Sequence, residues 1–171
     1  MKNKLFFLLT FLLALVAPVG SAFAAEPQLT KEQSAKLSES CGTIRQNLKN
    51  LQRIDSRTRT YFGAIYETAS TKFLKPLNLR LVNNDLADAE LLNLQTSIAT
   101  ARTDFSDDFI AYSKSLENLI TIDCRLEPEN FYKKLLETRE KRAAVAADVK
   151  TLNNLLTNIV KTTEKLKESL E

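Results

Sequence analysis

The stretch DLADAELLNLQTSIATARTDFSDDFIAYSKSLENLITIDCR, from Asp85 to Arg125, decides the fold. Leu91, Ile98, Phe105, Tyr112 and Leu119 recur in it every seven residues. Leu94, Ala101, Phe109, Leu116 and Ile120 widen that stripe. An apolar stripe of this width at helical period belongs to a helix that faces two neighbours at once. No glycine or proline interrupts it. The reading is a long helix over about 85–126, with a helix on either side of it and Cys124 in its last turn.

Upstream, Thr30-Lys31-Glu32-Gln33 matches a capping box. It predicts a first helix over about 30–74. Leu37, Cys41, Ile44, Leu48 and Leu51 follow the alternating four- and three-residue spacing of a coiled-coil seam. Continuing that count places Asp55 and Thr58 in the seam before Phe62, Ile65 and Ala69 resume it. Asp55 is then either a buried polar register device or a sign that the helix rotates at Ile54. The cost of an isolated buried carboxylate favours the rotation. Lys75-Pro76 reads as the end of the helix, because the residue before a proline avoids the helical region. Leu77 to Val82 reads as an apolar loop over the bundle tip, and Asn83, Asn84 or Asp85 as the start of the second helix.

Downstream, Glu127-Pro128 predicts a turn, with Pro128 as the first residue of a third helix over about 128–170. Val149, Leu152, Leu156, Ile159, Thr163, Leu166 and Leu170 carry its seam, and Phe131, Leu135 and Val145 extend it backwards. Helices of some 40 residues are about 60 Å long. Short connections make neighbours antiparallel. The expected fold is all-α: an elongated antiparallel up-down-up three-helix bundle or coiled coil.

The two cysteines test that register. Facing residues of an antiparallel hairpin share one midpoint, and for Cys41 and Cys124 it is 82.5, inside the loop that Pro76 and Asn84 bound. A disulfide between them is therefore expected. Reduced core thiols and an intermolecular bridge are the alternatives.

Lys2 and Lys4 precede an apolar run from Leu5 to Val19, and small Ala22 and Ala24 follow. This is the pattern of a secretory signal peptide over residues 1–24, cut between Ala24 and Ala25. The run is shorter than the ~20 apolar residues of a membrane span. An uncleaved anchor is the alternative. Export suits a disulfide. The expected mature chain has 22 basic residues against 21 acidic ones, a balance that predicts no nucleic-acid binding. It is expected to act outside the cytoplasm, in the periplasm or beyond, with no stable membrane insertion.

Histidine and tryptophan are absent. The missing histidine removes His-based triads and mixed His metal sites. No nucleophile has a base beside it, so no catalytic or cofactor-binding residue is assigned, and no metal site. Four constellations remain. Arg45, Lys49, Arg53 and Arg57 form a stripe at four-residue spacing. It reads as a contact for an anionic surface or as a solvated face. Interhelical ion pairs of Arg57 and Arg59 with Asp104, Asp107 and Asp108 favour the second reading. Those three aspartates share a helix face and would suit a hard cation only if they converged. Tyr61, Phe62 and Tyr66 stand level with Phe105, Phe109 and Tyr112, as a ligand pocket or as ordinary core. Asn153, Asn154 and Asn158 put poor helix formers on one face of the last helix, for self-association or for solvent.

The segments Leu77-Asn78-Leu79-Arg80-Leu81-Val82 and Asp123-Cys124-Arg125-Leu126-Glu127-Pro128, with Phe131-Tyr132 after them, resemble exported helical proteins of small candidate-phylum (Saccharibacteria-like) bacteria. That resemblance implies an exported helical protein and no particular activity. The expected function is a non-enzymatic structural or interaction protein of the bacterial cell envelope or exterior. Its partner would be another protein or, weakly, another copy of itself, bound through helix faces. The alternative is a periplasmic holdase or carrier that takes apolar ligands or unfolded chains between its long helices. An exposed continuous apolar strip would favour that alternative, and a closed bundle would count against it.

Overall fold

A computed structural model describes residues 28–171, so the leader and its cut at Ala24 and Ala25 lie outside the described residues. The regular elements are α1 (Lys31–Glu67), a π-helical stretch (Thr68–Leu74), α2 (Lys75–Asn83), α3 (Ala89–Thr121) and α4 (Pro128–Leu170). Among the described residues there is no strand, and the fold is an all-α helical bundle. None of these helices is long and apolar enough to cross a membrane.

The capping box forms as read: the Gln33 amide donates to Thr30 Oγ1 at 3.2 Å, and the Thr30 amide donates to Gln33 Oε1 at 2.8 Å. Two orphan amides at the start of α1 are thereby satisfied. Pro128 opens α4, where its missing N–H costs nothing.

Pro76 does not end the first helix. The chain stays helical from Lys31 through Asn83, and Leu77 to Val82 are part of α2 rather than a loop. The physical reason lies just upstream. In an α-helix the Pro76 ring would press on the carbonyl four residues back. Over Thr68–Leu74 the turn widens, and the Lys75 amide donates to the Ser70 carbonyl, five residues back. One inserted residue opens the helix enough to take a proline. Arg102 of α3 holds this stretch, pairing with Glu67 and donating to Ser70 Oγ at 3.1 Å.

The tip is also reassigned. Asn83, Asn84 and Asp85 stop α2 instead of starting the next helix. The Leu86 amide donates to the Leu81 carbonyl, and the Asp85 amide to that of Val82. This is a Schellman arrangement, with Asp85 at φ 56° in the left-handed position that glycine usually fills. The start of α3 is set by Asp88, whose carboxylate accepts from the Leu91 amide at 2.8 Å. Asn78 is buried under the tip and donates to the Leu91 carbonyl and to Gln95 Oε1.

At its other end α3 stops at Thr121, so Cys124 lies in the turn beyond it and not on the helix. Cys41 and Cys124 stand at disulfide distance, their Cα atoms 5.6 Å apart. The contact of Tyr66 with Phe105 has its midpoint at 85.5, and that of Ser70 with Arg102 at 86, close to the centre of the turn. The midpoint falls to 83.5 for Asp55 with Tyr112 and to 82.5 for the cysteines, so the pairing drifts along the hairpin before the turn is reached.

The expected stripe of α3 is the core. Leu91, Leu94, Ile98, Ala101, Phe105, Phe109, Tyr112, Leu116 and Leu119 are all buried. Each such large side chain contributes about 1.5–3 kcal/mol. The helix packs most closely on α4, less on α1, while α1 and α4 touch least. That unequal closure positions everything below.

Candidate functional site

Asp55 faces inward, so the helix does not rotate at Ile54; Ile54 is the exposed neighbour. The carboxylate is not isolated. Tyr112 of α3 donates its hydroxyl to Asp55 Oδ2 at 2.6 Å. Arg142 of α4 donates Nε to Oδ2 at 2.8 Å and Nη2 to Oδ1 at 3.1 Å, a two-pronged pair. One carboxylate thus ties α1 to α3 and to α4. Burial pushes the Asp55 carboxyl up, but the hydrogen bonds from Arg142 and Tyr112 outweigh it and leave the group below its ordinary value. The Tyr112 phenol is driven well above its ordinary value, first by burial and then by the bond to Asp55. The seam position was legible. Its partners, 57 and 87 residues away, were not.

Beside this node the three helices leave a cleft of about 270 Å³, lined by Phe62, Phe105, Phe109, Val145 and Val149, with Asp55, Arg59, Tyr112 and Arg142 at its polar edge. The Arg59 guanidinium lies over the Phe109 ring, 5.2 Å from its centroid. The predicted aromatic set comes together as a continuous ladder. Tyr61 meets Phe62, Phe62 meets Tyr66, Tyr66 meets Phe105, Phe105 meets Phe109, and Phe109 meets Tyr112. Part of that ladder is core and part is cleft wall. Tyr66 is fully buried, and its hydroxyl donates to Asn153 Oδ1 at 3.2 Å. Asn153 therefore serves an internal bond, while Asn154 and Asn158 stay exposed.

Further along, α1 and α4 part on the outside. An open groove of about 620 Å³ runs between them, floored by Ile65, Ala69, Leu156 and Ile159. Its lips are Tyr61, Phe73 and Val160, which are 66%, 44% and 55% exposed. Large apolar side chains left in water on both lips of an apolar groove mark an interaction surface more often than chance.

The expected ion pairs of Arg57 and Arg59 with the aspartates of α3 do not form. Arg59 instead takes the Phe109 ring, and among the described residues no ion pair involves Arg45, Lys49, Arg53 or Arg57. The register explains this: Asp104 and Asp108 face α4. There they act on Asp148, whose carboxyl is raised by burial first, then by the charge and hydrogen bonding of Asp108, then by the charge of Asp104. Among the described residues no three acidic, cysteine or histidine side chains are placed to hold a metal ion.

Compared with protein-family models, curated proteins and solved structures, the chain matches none of them.

Proposed function

We propose that this chain is an exported, non-enzymatic interaction protein whose working surface is the groove between α1 and α4. The leader pattern and the cysteine pair support export, to the periplasm or the cell exterior. Contacts of α3 with both other long helices support an up-down-up course with coiled-coil-like seams. In that arrangement α1 and α4 run parallel on one side and leave room for a fourth helix. The exposed lips Tyr61, Phe73 and Val160 over an apolar floor carry the reading. Such a groove accepts the apolar face of an amphipathic helix, read at helical spacing. The occupant is a protein partner or, weakly, a second copy of this chain. Asp55, Tyr112 and Arg142 at the edge of the cleft satisfy one another, and no nucleophile there has a base beside it, which suits binding rather than catalysis.

A second reading, a holdase or carrier for unfolded chains, is favoured by the openness of the same groove. One experiment separates them. Tyr61→Glu and Val160→Glu each put a charge on a lip without touching the core. Sedimentation of the mature protein with envelope extract is expected to give one discrete complex that either substitution abolishes. A strict monomer, unchanged by either substitution, would contradict the interaction reading. A broad range of complexes that also includes denatured model proteins would favour the holdase.

A further inference from the structure

Separate from the outer groove, the cleft beside Asp55 has the makings of a small-molecule site. It is lined by α1, α3 and α4 and open where α1 and α4 part. Its walls are the rings of Phe62, Phe105 and Phe109 with Val145 and Val149, and its polar groups are gathered at one edge. Apolar walls with a few polar groups at a fixed place are the usual form of a ligand site. The volume, about 270 Å³, falls just below the usual range of such sites, which begins near 300 Å³. It takes one short chain or a single ring, not a two-tailed lipid.

The charges at the edge choose the head group. Asp55 is occupied on both oxygens by Arg142 and Tyr112. Arg142 is in turn spent on Asp55. Arg59 remains: it lines the cleft, rests on the Phe109 ring and has no carboxylate partner among the described residues. Two guanidiniums against one carboxylate leave a single positive charge at the mouth of an apolar cleft. A guanidinium already laid along an aromatic face is held in place and can present its edge to an anion.

We propose that this cleft binds a small amphipathic monoanion, a short-chain aliphatic carboxylate, with its tail against Phe62, Phe105, Phe109 and Val149 and its carboxylate on Arg59. The Asp55 node serves as a positioning element. It keeps Arg142 from competing for the anion and fixes the three helices around the tail. The proposal stands apart from the interaction surface, which lies on the outer side of α1 and α4 and uses none of these side chains.

The test is calorimetric titration of the mature protein with octanoate, octanol and octylammonium, which share a tail and differ in charge. Octanoate is expected to bind saturably and about tenfold tighter than octanol, the effect of one charge-assisted hydrogen bond. Octylammonium is expected not to bind. Arg59 is exposed, so Arg59→Gln leaves the fold intact; it should lower octanoate to the affinity of octanol and leave octanol unchanged. Ala146→Phe fills the cleft and should abolish both, with thermal melting confirming that the variant is folded. The proposal is overturned by any one of three results: no saturable octanoate binding, octylammonium binding as tightly as octanoate, or octanoate binding that Arg59→Gln leaves unchanged.

Discussion

Replacing Asp55 with alanine should unfold more than an ordinary surface change. In the native chain the Asp55 side chain is only 15% exposed and Arg142 is 51% exposed. Losing the pair with a half-exposed arginine costs at most about 1 kcal/mol, because Arg142 can turn to water. Tyr112 cannot. It is 2% exposed, and among the described residues Asp55 is the acceptor of its hydroxyl, a role the Arg142 guanidinium cannot take. A buried hydroxyl left unsatisfied costs about 1–3 kcal/mol. The two together give about 1–4 kcal/mol for Asp55→Ala, or a melting point lower by about 2–16 °C for a domain of this size. Urea unfolding followed by far-ultraviolet circular dichroism at 222 nm reads the loss, with the slope unchanged. Tyr112→Phe in the Asp55→Ala background removes the orphan, so the double variant should be at least 1 kcal/mol more stable than the sum of the singles. The pH dependence has a fixed sign. The Asp55 carboxyl is lowered in the folded chain, so its stabilisation is present above the unfolded value of about 3.9 and is lost as pH falls through the folded one. The gap between wild type and Asp55→Ala should therefore close towards low pH. A loss under 0.5 kcal/mol at pH 7, strict additivity with Tyr112→Phe, or a gap unchanged down to pH 2 would refute the argument.

Other expectations follow from the same contacts. Cys41 and Cys124 are 83 residues apart, so in the chain-entropy model their bond adds about 4.5 kcal/mol. Cys41→Ser should lower the melting point by about 9–18 °C while helix content at low temperature stays; two free thiols in the non-reduced wild type would contradict it. Asp148→Asn should raise the melting point at pH 7 by about 0.5–2 °C, the scale of a relieved like-charge contact. Because the Asp148 carboxyl is raised in the folded chain, its contribution is favourable below about pH 3.9 and lost as pH rises through the folded value, so the gain should fade in acid; scans at pH 7 and 3 decide it. Arg102→Ala should free the π-helical stretch, seen as faster amide exchange at residues 68–74 with little change in α4.

The long helices were legible because side-chain period is a local property. Leu91, Ile98, Phe105, Tyr112 and Leu119 fix the inner face of α3 whatever surrounds it. Pro128 and the Thr30 box were legible for the same reason: they act within one turn. Pro76 misled because its outcome depends on whether the preceding turn can widen, and here Arg102 holds the widened turn from another helix. The same limit hid Asp55. Its cost as a lone carboxylate argued for a rotated helix, and two partners far along the chain remove that cost. The aromatic set was found from spacing, with a pocket or ordinary core as its two readings, but the choice between them was not legible. A cleft arises where α1 and α4 fail to close over α3, with small Ala146 at the lining, and that is a sum over three helices.

The central claim is that the lips of the α1–α4 groove meet a partner, and site-specific photo-crosslinking in intact cells tests it most directly. A photoreactive phenylalanine analogue at Tyr61 or Val160 is expected to trap one discrete adduct. The same analogue at Lys114, on the exposed face of α3, is expected to trap none. Equal labelling from all three positions, or no adduct from Tyr61 and Val160, would contradict the account.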